Sequence, residues 1–170
     1  MKNITKFFAI ALVILGFTAT SFAQSTASAN ASAKILASIG LTKTIDLNFG
    51  TMTIPTLATT VTLSPLGVLS NGGNITLLAQ APIAAPASYN VTGDLNANYA
   101  ITLPSNGTIT ISNGVQTMPI NNFTSSKLLN QSTLSGAGAD SFTVGATLVL
   151  GAAQAAGSYT GTYNVTVAYN

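Results

Sequence analysis

An antiparallel β-sandwich in a single domain is the fold this sequence predicts, and three observations predict it. Two long stretches alternate with a period of two. One runs through Ala27, Ala29, Ala31, Ala33, Ile35, Ala37, Ile39 and Leu41, the other through Tyr159, Tyr163, Val165, Val167 and Tyr169. Side chains on a strand point to opposite faces in turn, so each stretch reads as a strand with one inward face. Between them, short apolar runs are cut by Gly, Pro and Asn clusters. No segment after residue 23 carries a convincing helical period.

The first residues read as a removable leader. Lys2 and Lys6 supply a positive start, and residues 7–17 are an apolar run too short to span a bilayer comfortably. Ser21-Phe22-Ala23 offers the small residues a signal peptidase reads. The pattern predicts a signal peptide over 1–23 and a domain over 24–170. The protein is then exported to the periplasm, cell surface or medium, with no membrane insertion once the leader is cleaved. The net charge of +2 belongs to the precursor. After Ala23, three lysines (Lys34, Lys43, Lys127) balance three aspartates (Asp46, Asp94, Asp140). That leaves no basic patch for nucleic acid and no polybasic membrane motif. With charge so scarce, Ser, Thr and Asn take over the solvated surface, and a neutral chain does not repel its own copies. The absence of Cys means an exported fold that does without disulfides.

The elements follow in order. Residues 27–41 form the first strand, with only Leu36 out of pattern. Residues 45–49 form the next, closed by Gly50, and 51–54 another, stopped by Pro55. A strand at 61–64 ends at Pro65. The turn cluster 71–74 separates 68–69 from 75–78. Residues 81–87, with Pro82 and Pro86, make a connection or an interrupted edge strand. Strands at 89–93 and 99–103 flank a polar turn. A short strand at 108–112 precedes the Asn113-Gly114 turn, and 118–123 forms another. Residues 125–140 are loose and rich in Ser and Gly. Phe142, Val144, Ala146, Leu148 and Leu150 share one face of a strand, and 157–170 is the last strand. Uneven turns and Thr/Asn outward faces argue against a closed barrel with a lipid-facing band.

The chemistry points away from catalysis. His, Cys, Glu and Arg are all absent after the leader, which removes the commonest general base, the thiolate nucleophile and the usual transition-metal ligands. A serine nucleophile would need a lysine base. Ser125-Ser126-Lys127 is the nearest arrangement, and a solvated loop lysine explains it better. Asp94, Asn96 and Asn98 have the spacing that opens a calcium loop, but Tyr99 and Ser105 stand where its Gly and closing Glu belong, so a tight turn is expected. No catalytic residue, cofactor or metal is expected.

Several motifs together carry a resemblance. They are Leu47-Asn-Phe-Gly50, Tyr89-Asn-Val-Thr-Gly93, Tyr99-Ala-Ile-Thr-Leu-Pro104, Phe142-Thr-Val-Gly-Ala-Thr-Leu148, and a final Gly-x-Tyr-x-Gly-x-Tyr-x-Val-x-Val-x-Tyr run from Gly157 to Tyr169. The chain resembles the exported bacterial family called domain of unknown function 4402. The resemblance implies an exported, fimbria-like sandwich and carries no catalytic residues. It also invites comparison with pilins of the chaperone–usher type. Those pair an alternating N-terminal extension with a groove in the next subunit and end on a strand with a penultimate Tyr, the place of Tyr169 here. Strand addition of this kind takes affinity from main-chain hydrogen bonds and specificity from alternate side chains.

Two arrangements stay open for 27–41. It pairs in cis as the first strand of a self-contained sandwich, or in trans as a donor strand against a groove that Tyr163, Val165, Val167 and Tyr169 help to form. Its alanine content favours the cis pairing: only Ile35, Ile39 and Leu41 are large, worth roughly 5–9 kcal/mol of gross burial. The expectation is an immunoglobulin-like (pilin-like) sandwich serving as a non-enzymatic surface or fimbria-like subunit or adhesion component. Its partners would be copies of itself or other surface subunits. The alternative is a monomeric extracellular module that binds a glycan or another surface ligand.

Overall fold

The computed structural model describes residues 23–170. The expected signal peptide, but for Ala23, lies outside them. The chain divides into two units, Met1–Lys34 and Ile35–Asn170. Of the first, residues 23–34 are described; they hold no helix or strand and are exposed throughout. The second is an all-β, antiparallel sandwich.

Its spine is the twelve-residue strand β11, Ala139–Leu150. One edge of β11 pairs first with β6 (Ala87–Thr92) and then with β3 (Thr59–Leu63). The other edge pairs with β9 (Thr117–Ser125). Beyond these lie β1 (Gly40–Ile45) on β6, β4 (Leu69–Asn71) on β3 and β8 (Ile109–Ser112) on β9. A second sheet has the order β10 (Gln131–Thr133), β7 (Asn98–Thr102), β12 (Thr166–Tyr169). A two-strand pair joins β2 (Thr51–Met52) to β5 (Leu77–Leu78).

Gly145 marks the point where β11 passes from β6 to β3. A Cβ there would lie 2.1 Å from the Leu63 carbonyl oxygen, so glycine alone lets the two backbones cross so closely.

The alternation in β11 decides the core. Phe142 and Val144 enter one cluster with Ala87, Tyr89, Val91, Tyr99, Ile101 and Leu134. Ala146, Leu148 and Leu150 enter another with Phe49, Val61, Leu63, Met118 and Ile120. One strand thus supplies both halves of the interior. Tyr89 stacks on Phe142 with ring centroids 5.2 Å apart.

Several expected elements change. Ladder pairing across 27–41 begins only at Gly40; Ala27, Ala29, Ala31, Ala33, Ile35 and Ala37 are exposed and belong to no strand. The reason is size, because an alanine face buries too little to offset the ordering of the chain. Pairing starts where Ile39 and Leu41 reach the second cluster. Of the strand expected at 45–49, Ile45 ends β1 against Ser88, past a register shift after Lys43, and Asn48 makes an isolated bridge with Ala85. The turn at 71–74 does not join a hairpin, since β4 pairs with β3 while β5 pairs with β2. The loose segment 125–140 contains a 3-10 turn, Leu128–Asn130, and β10. The final strand is confined to Thr166–Tyr169, although the inward–outward alternation of burial runs from Ser158 to Asn170, broken only at Gly161.

Candidate functional site

Two segments border the first core cluster. The Asn-Phe-Gly segment follows β1. Asn48 exchanges both backbone hydrogen bonds with Ala85 at 2.8 Å, and its Oδ1 accepts the Gly50 N–H at 2.8 Å. Gly50 has φ of 81°, a left-handed value that glycine adopts freely, and a Cβ there would press on Ala84. Phe49 is thereby turned into the core.

The C-terminal motif crosses from one cluster to the other. Tyr159 packs on the first; its hydroxyl donates to the Ala155 carbonyl at 2.9 Å and accepts from Gln154 Nε2 at 3.0 Å. Gly161 lies so close to β8 that a Cβ would sit 2.6 Å from the Thr110 carbonyl oxygen. Tyr163 packs on the second cluster, its ring 4.9 Å from Phe123 and its hydroxyl bonded by Tyr89 at 3.2 Å. Burial, then that bond, pushes the Tyr163 phenol well above its usual titration range. Tyr169 closes the seam. It accepts the Asp94 N–H at 2.6 Å and donates to the Ala37 carbonyl at 2.7 Å. Gly93 has no Cβ where the Tyr169 hydroxyl sits.

Between the two segments lies a cleft of about 860 Å³. Phe49, Met118, Ile120, Leu148 and Leu150 form its buried floor. Leu47, Met52, Ile109, Ile111, Tyr159 and Tyr163 wall it. Protein interiors are close-packed, so this space lies over the core rather than within it.

The cleft is bordered by strand edges. Thr160 spends both its N–H and its C=O on Ser112 of β8, at 3.0 and 2.9 Å. Successive residues of an extended chain direct these groups to opposite sides, so those of Tyr159 and Gly161 face away from β8. By the same rule, Asn48 faces Ala85 and its neighbours Leu47 and Phe49 face away from it. All four of these residues line the cleft. Some of its polar side chains are already bonded or paired. Gln154 Nε2 donates to Gln116 Oε1 at 3.0 Å, Gln154 Oε1 accepts the Gly151 N–H at 3.1 Å, and Lys43 pairs with Asp46.

A family model described as "Domain of unknown function (DUF4402)" matches residues 39–169. The chain belongs to this family. No curated protein and no solved structure matches it. In this DUF4402 member both signature segments are structural seams, and each glycine and tyrosine named above has a packing or hydrogen-bonding role.

The sequence-predicted residues separate into two groups. Tyr159, Tyr163, Val165, Val167 and Tyr169 all face inward and are half-buried, Tyr159 on the first cluster and the other four on the second. Of these, Tyr159 and Tyr163 line the cleft. Residues 27–37 of the alternating N-terminal stretch stay exposed, with Ile35 at 92%. Tyr89 and Tyr99, where an exposed aromatic cluster would have favoured a sugar-binding surface, are 6% and 0% exposed.

Lys127 Nζ bonds Asp140 Oδ1 at 2.8 Å, while the Ser125 hydroxyl donates to Asn130 Oδ1 at 2.7 Å. Asp140 also accepts from Ser132 at 2.6 Å, Tyr99 at 2.9 Å and the Ser141 N–H at 2.7 Å. Burial alone would raise the Asp140 carboxyl, but Lys127 and the other donors hold it below its ordinary value. Asn96 sits at φ 56° in the turn expected around Asp94, and Asn98 Oδ1 accepts the Thr133 hydroxyl at 2.7 Å. Among the described residues no group of three His, Cys, Asp or Glu side chains could hold a metal, and no helix is long and apolar enough to cross a membrane.

The cleft itself escaped the sequence reading. Ile109/Ile111, Met118/Ile120 and Leu148/Leu150 each show the i, i+2 spacing of a strand face. That spacing says a face is apolar and nothing about what covers it.

Proposed function

We propose that this protein is a non-enzymatic, exported structural subunit of a cell-surface or fimbria-like assembly, joined to its neighbours by β-strand addition. The observation that carries this reading is the N-terminal stretch, an alternating segment with an exposed Ile35 whose ladder pairing begins only at Gly40. Neutral charge and the absence of the commonest catalytic side chains support it. The test is the mass distribution of the exported chain, by light scattering after size exclusion without boiling. A ladder of multiples that collapses when residues 24–36 are deleted is expected. A stable monomer would overturn the reading, as would any turnover abolished by changing Lys127 or Asp94.

A second reading, a monomeric binding module, is favoured by the cleft itself, whose volume falls within the range of small-molecule sites. Of its polar side chains, however, Gln154, Lys43 and Asp46 are already engaged.

A further inference from the structure

We infer that two turns flanking Thr143, residues 64–68 and 126–130, form a peripheral membrane contact that seats Leu66, Leu128 and Leu129 in the interface of a neutral lipid bilayer. The inference is independent of how copies of the chain join one another.

Exposure singles out the place. Among the described residues, five large apolar side chains are more than 80% exposed: Ile35, Leu66, Val115, Leu128 and Leu129. Single exposed apolar residues are ordinary on a protein surface. Three of these five, however, belong to turns held by one residue of β11. The Thr143 hydroxyl donates to the carbonyl of Pro65, beside Leu66, at 2.7 Å. The Thr143 N–H donates to the Ser126 hydroxyl at 3.0 Å, and the Thr143 carbonyl accepts the Ser126 N–H at 2.9 Å.

The second turn is built to hold its leucines outward. Leu129 and Asn130 are consecutive left-handed residues, at φ 53° and 56°. A side chain as large as leucine rarely adopts this conformation, which is strained unless its surroundings fix it. Here they do. The Ser125 hydroxyl donates to Asn130 Oδ1 at 2.7 Å and accepts the Lys127 N–H at 3.2 Å. Lys127 Nζ is anchored on Asp140 at 2.8 Å, and the Gln131 N–H closes the turn on the Leu128 carbonyl. These bonds fix a conformation that leaves both leucines in water.

A lipid surface fits this patch better than a protein does. Three leucine side chains offer roughly 200–350 Å² of apolar area to a partner, well below the roughly 800 Å² per partner of a stable protein interface. Interfacial membrane binding needs less. It grows with each apolar side chain seated, and a fluid bilayer closes round projecting tips. Charge agrees. Lys127 and Asp140, the charged pair at the second turn, bond each other. The other residues of the two turns are Ser, Pro, Gly, Val and Asn. A zwitterionic bilayer therefore meets no unpaired charge there, and anionic lipid is not required. The sequence expectation of no membrane insertion changes to this extent only: side chains enter the interface, and no backbone crosses it.

The chain contains no Trp, so one introduced Trp reports its own surroundings. Leu128→Trp is made in the full exported chain, with Val115→Trp as the control. Val115 is 87% exposed and precedes β9, at the opposite end of that strand from Ser125. On addition of phosphatidylcholine vesicles, the Leu128→Trp emission should shift to the blue and the Val115→Trp emission should not. In vesicle flotation, Leu128→Ser with Leu129→Ser should weaken binding about tenfold or more, and Val115→Ser less than about twofold. High salt should leave wild-type binding unchanged. The serine variants should keep the wild-type urea midpoint, because the replaced side chains are exposed. Should the doubly substituted chain lose stability, the Trp shift decides alone.

A wild-type chain that does not float overturns the inference, as does a stable, doubly substituted chain that floats equally well. So does binding that needs anionic lipid and is lost in high salt, which would belong to the lysines at large. A Leu128→Trp emission that shifts with protein concentration and not with vesicles would put a second copy on the patch and overturn it too.

Discussion

The two alternating stretches have the same period and different fates. Residues 158–170 lay every odd side chain but Gly161 inward, from Tyr159 to Tyr169. Residues 27–37 lay none inward. The difference is the odd face. Three tyrosines and two valines occupy one; five alanines and Ile35 occupy the other. Burying a large apolar side chain contributes about 1.5–3 kcal/mol, enough to offset the ordering of a residue or two, while an alanine methyl contributes about 0.8 kcal/mol. Period two therefore marks a segment that can become a strand; side-chain size decides whether it does so on its own domain.

Breaking the seated stretch should have the largest effect. Tyr163→Ala removes the ring against Phe123 and the bond with Tyr89. A loss of about 3 kcal/mol is expected, at the lower end for deleting a packed aromatic, seen as a lower urea midpoint. Next is the hinge between the stretches. Tyr169→Phe leaves the Asp94 N–H without its acceptor and the Ala37 carbonyl without its donor. It should lower stability by about 1–2 kcal/mol, and the amides around Ala37 should exchange faster while those of β11 keep their protection.

The sheet that seats the C-terminal strand can be probed by pH. Tyr99 on β7 is tied to Asp140 on β11, and Asp140 titrates below its ordinary value in the fold. A carboxyl depressed in the native state lends stability above its unfolded pKa of about 3.9 and loses it as pH falls through the lower native value. The urea midpoint of the wild-type chain should therefore fall steeply below about pH 4. In Asp140→Asn this part of the slope should vanish, at the expense of a lower midpoint at neutral pH. The smallest effect belongs to the unseated stretch. Ile35→Ser should move the urea midpoint of a dilute, unassociated chain by less than about 0.5 kcal/mol, since the side chain touches little. A larger loss would mean the stretch is seated in cis after all.

Much of the fold was legible because local rules and tertiary needs agreed. The even positions of β11 read directly as an inward face, and Pro55, Pro65 and Gly114 stopped strands where turns occur. The inward set of the C-terminal motif was legible for the same reason. What failed depended on partners distant in sequence. Nothing local says that β6 and β3 share one edge of β11, that β5 pairs with β2 rather than β4, or that 45–49 keeps only the end of β1 and one bridge. The cleft was illegible on the same ground, since it consists of neighbours that Phe49, Met118 and Leu148 do not have. Its trace in the sequence is indirect: Gly50 and Gly161, which line it, sit where a Cβ would press on Ala84 and on the Thr110 carbonyl oxygen.

Hydrogen exchange on the associated, full exported chain tells a paired N-terminal stretch from a free one. Amides of residues 29–36 should be protected in the assembly. The assembly itself should fall apart when residues 24–36 are deleted. Residues 29–36 exchanging at free-peptide rates within an intact assembly would contradict that pairing.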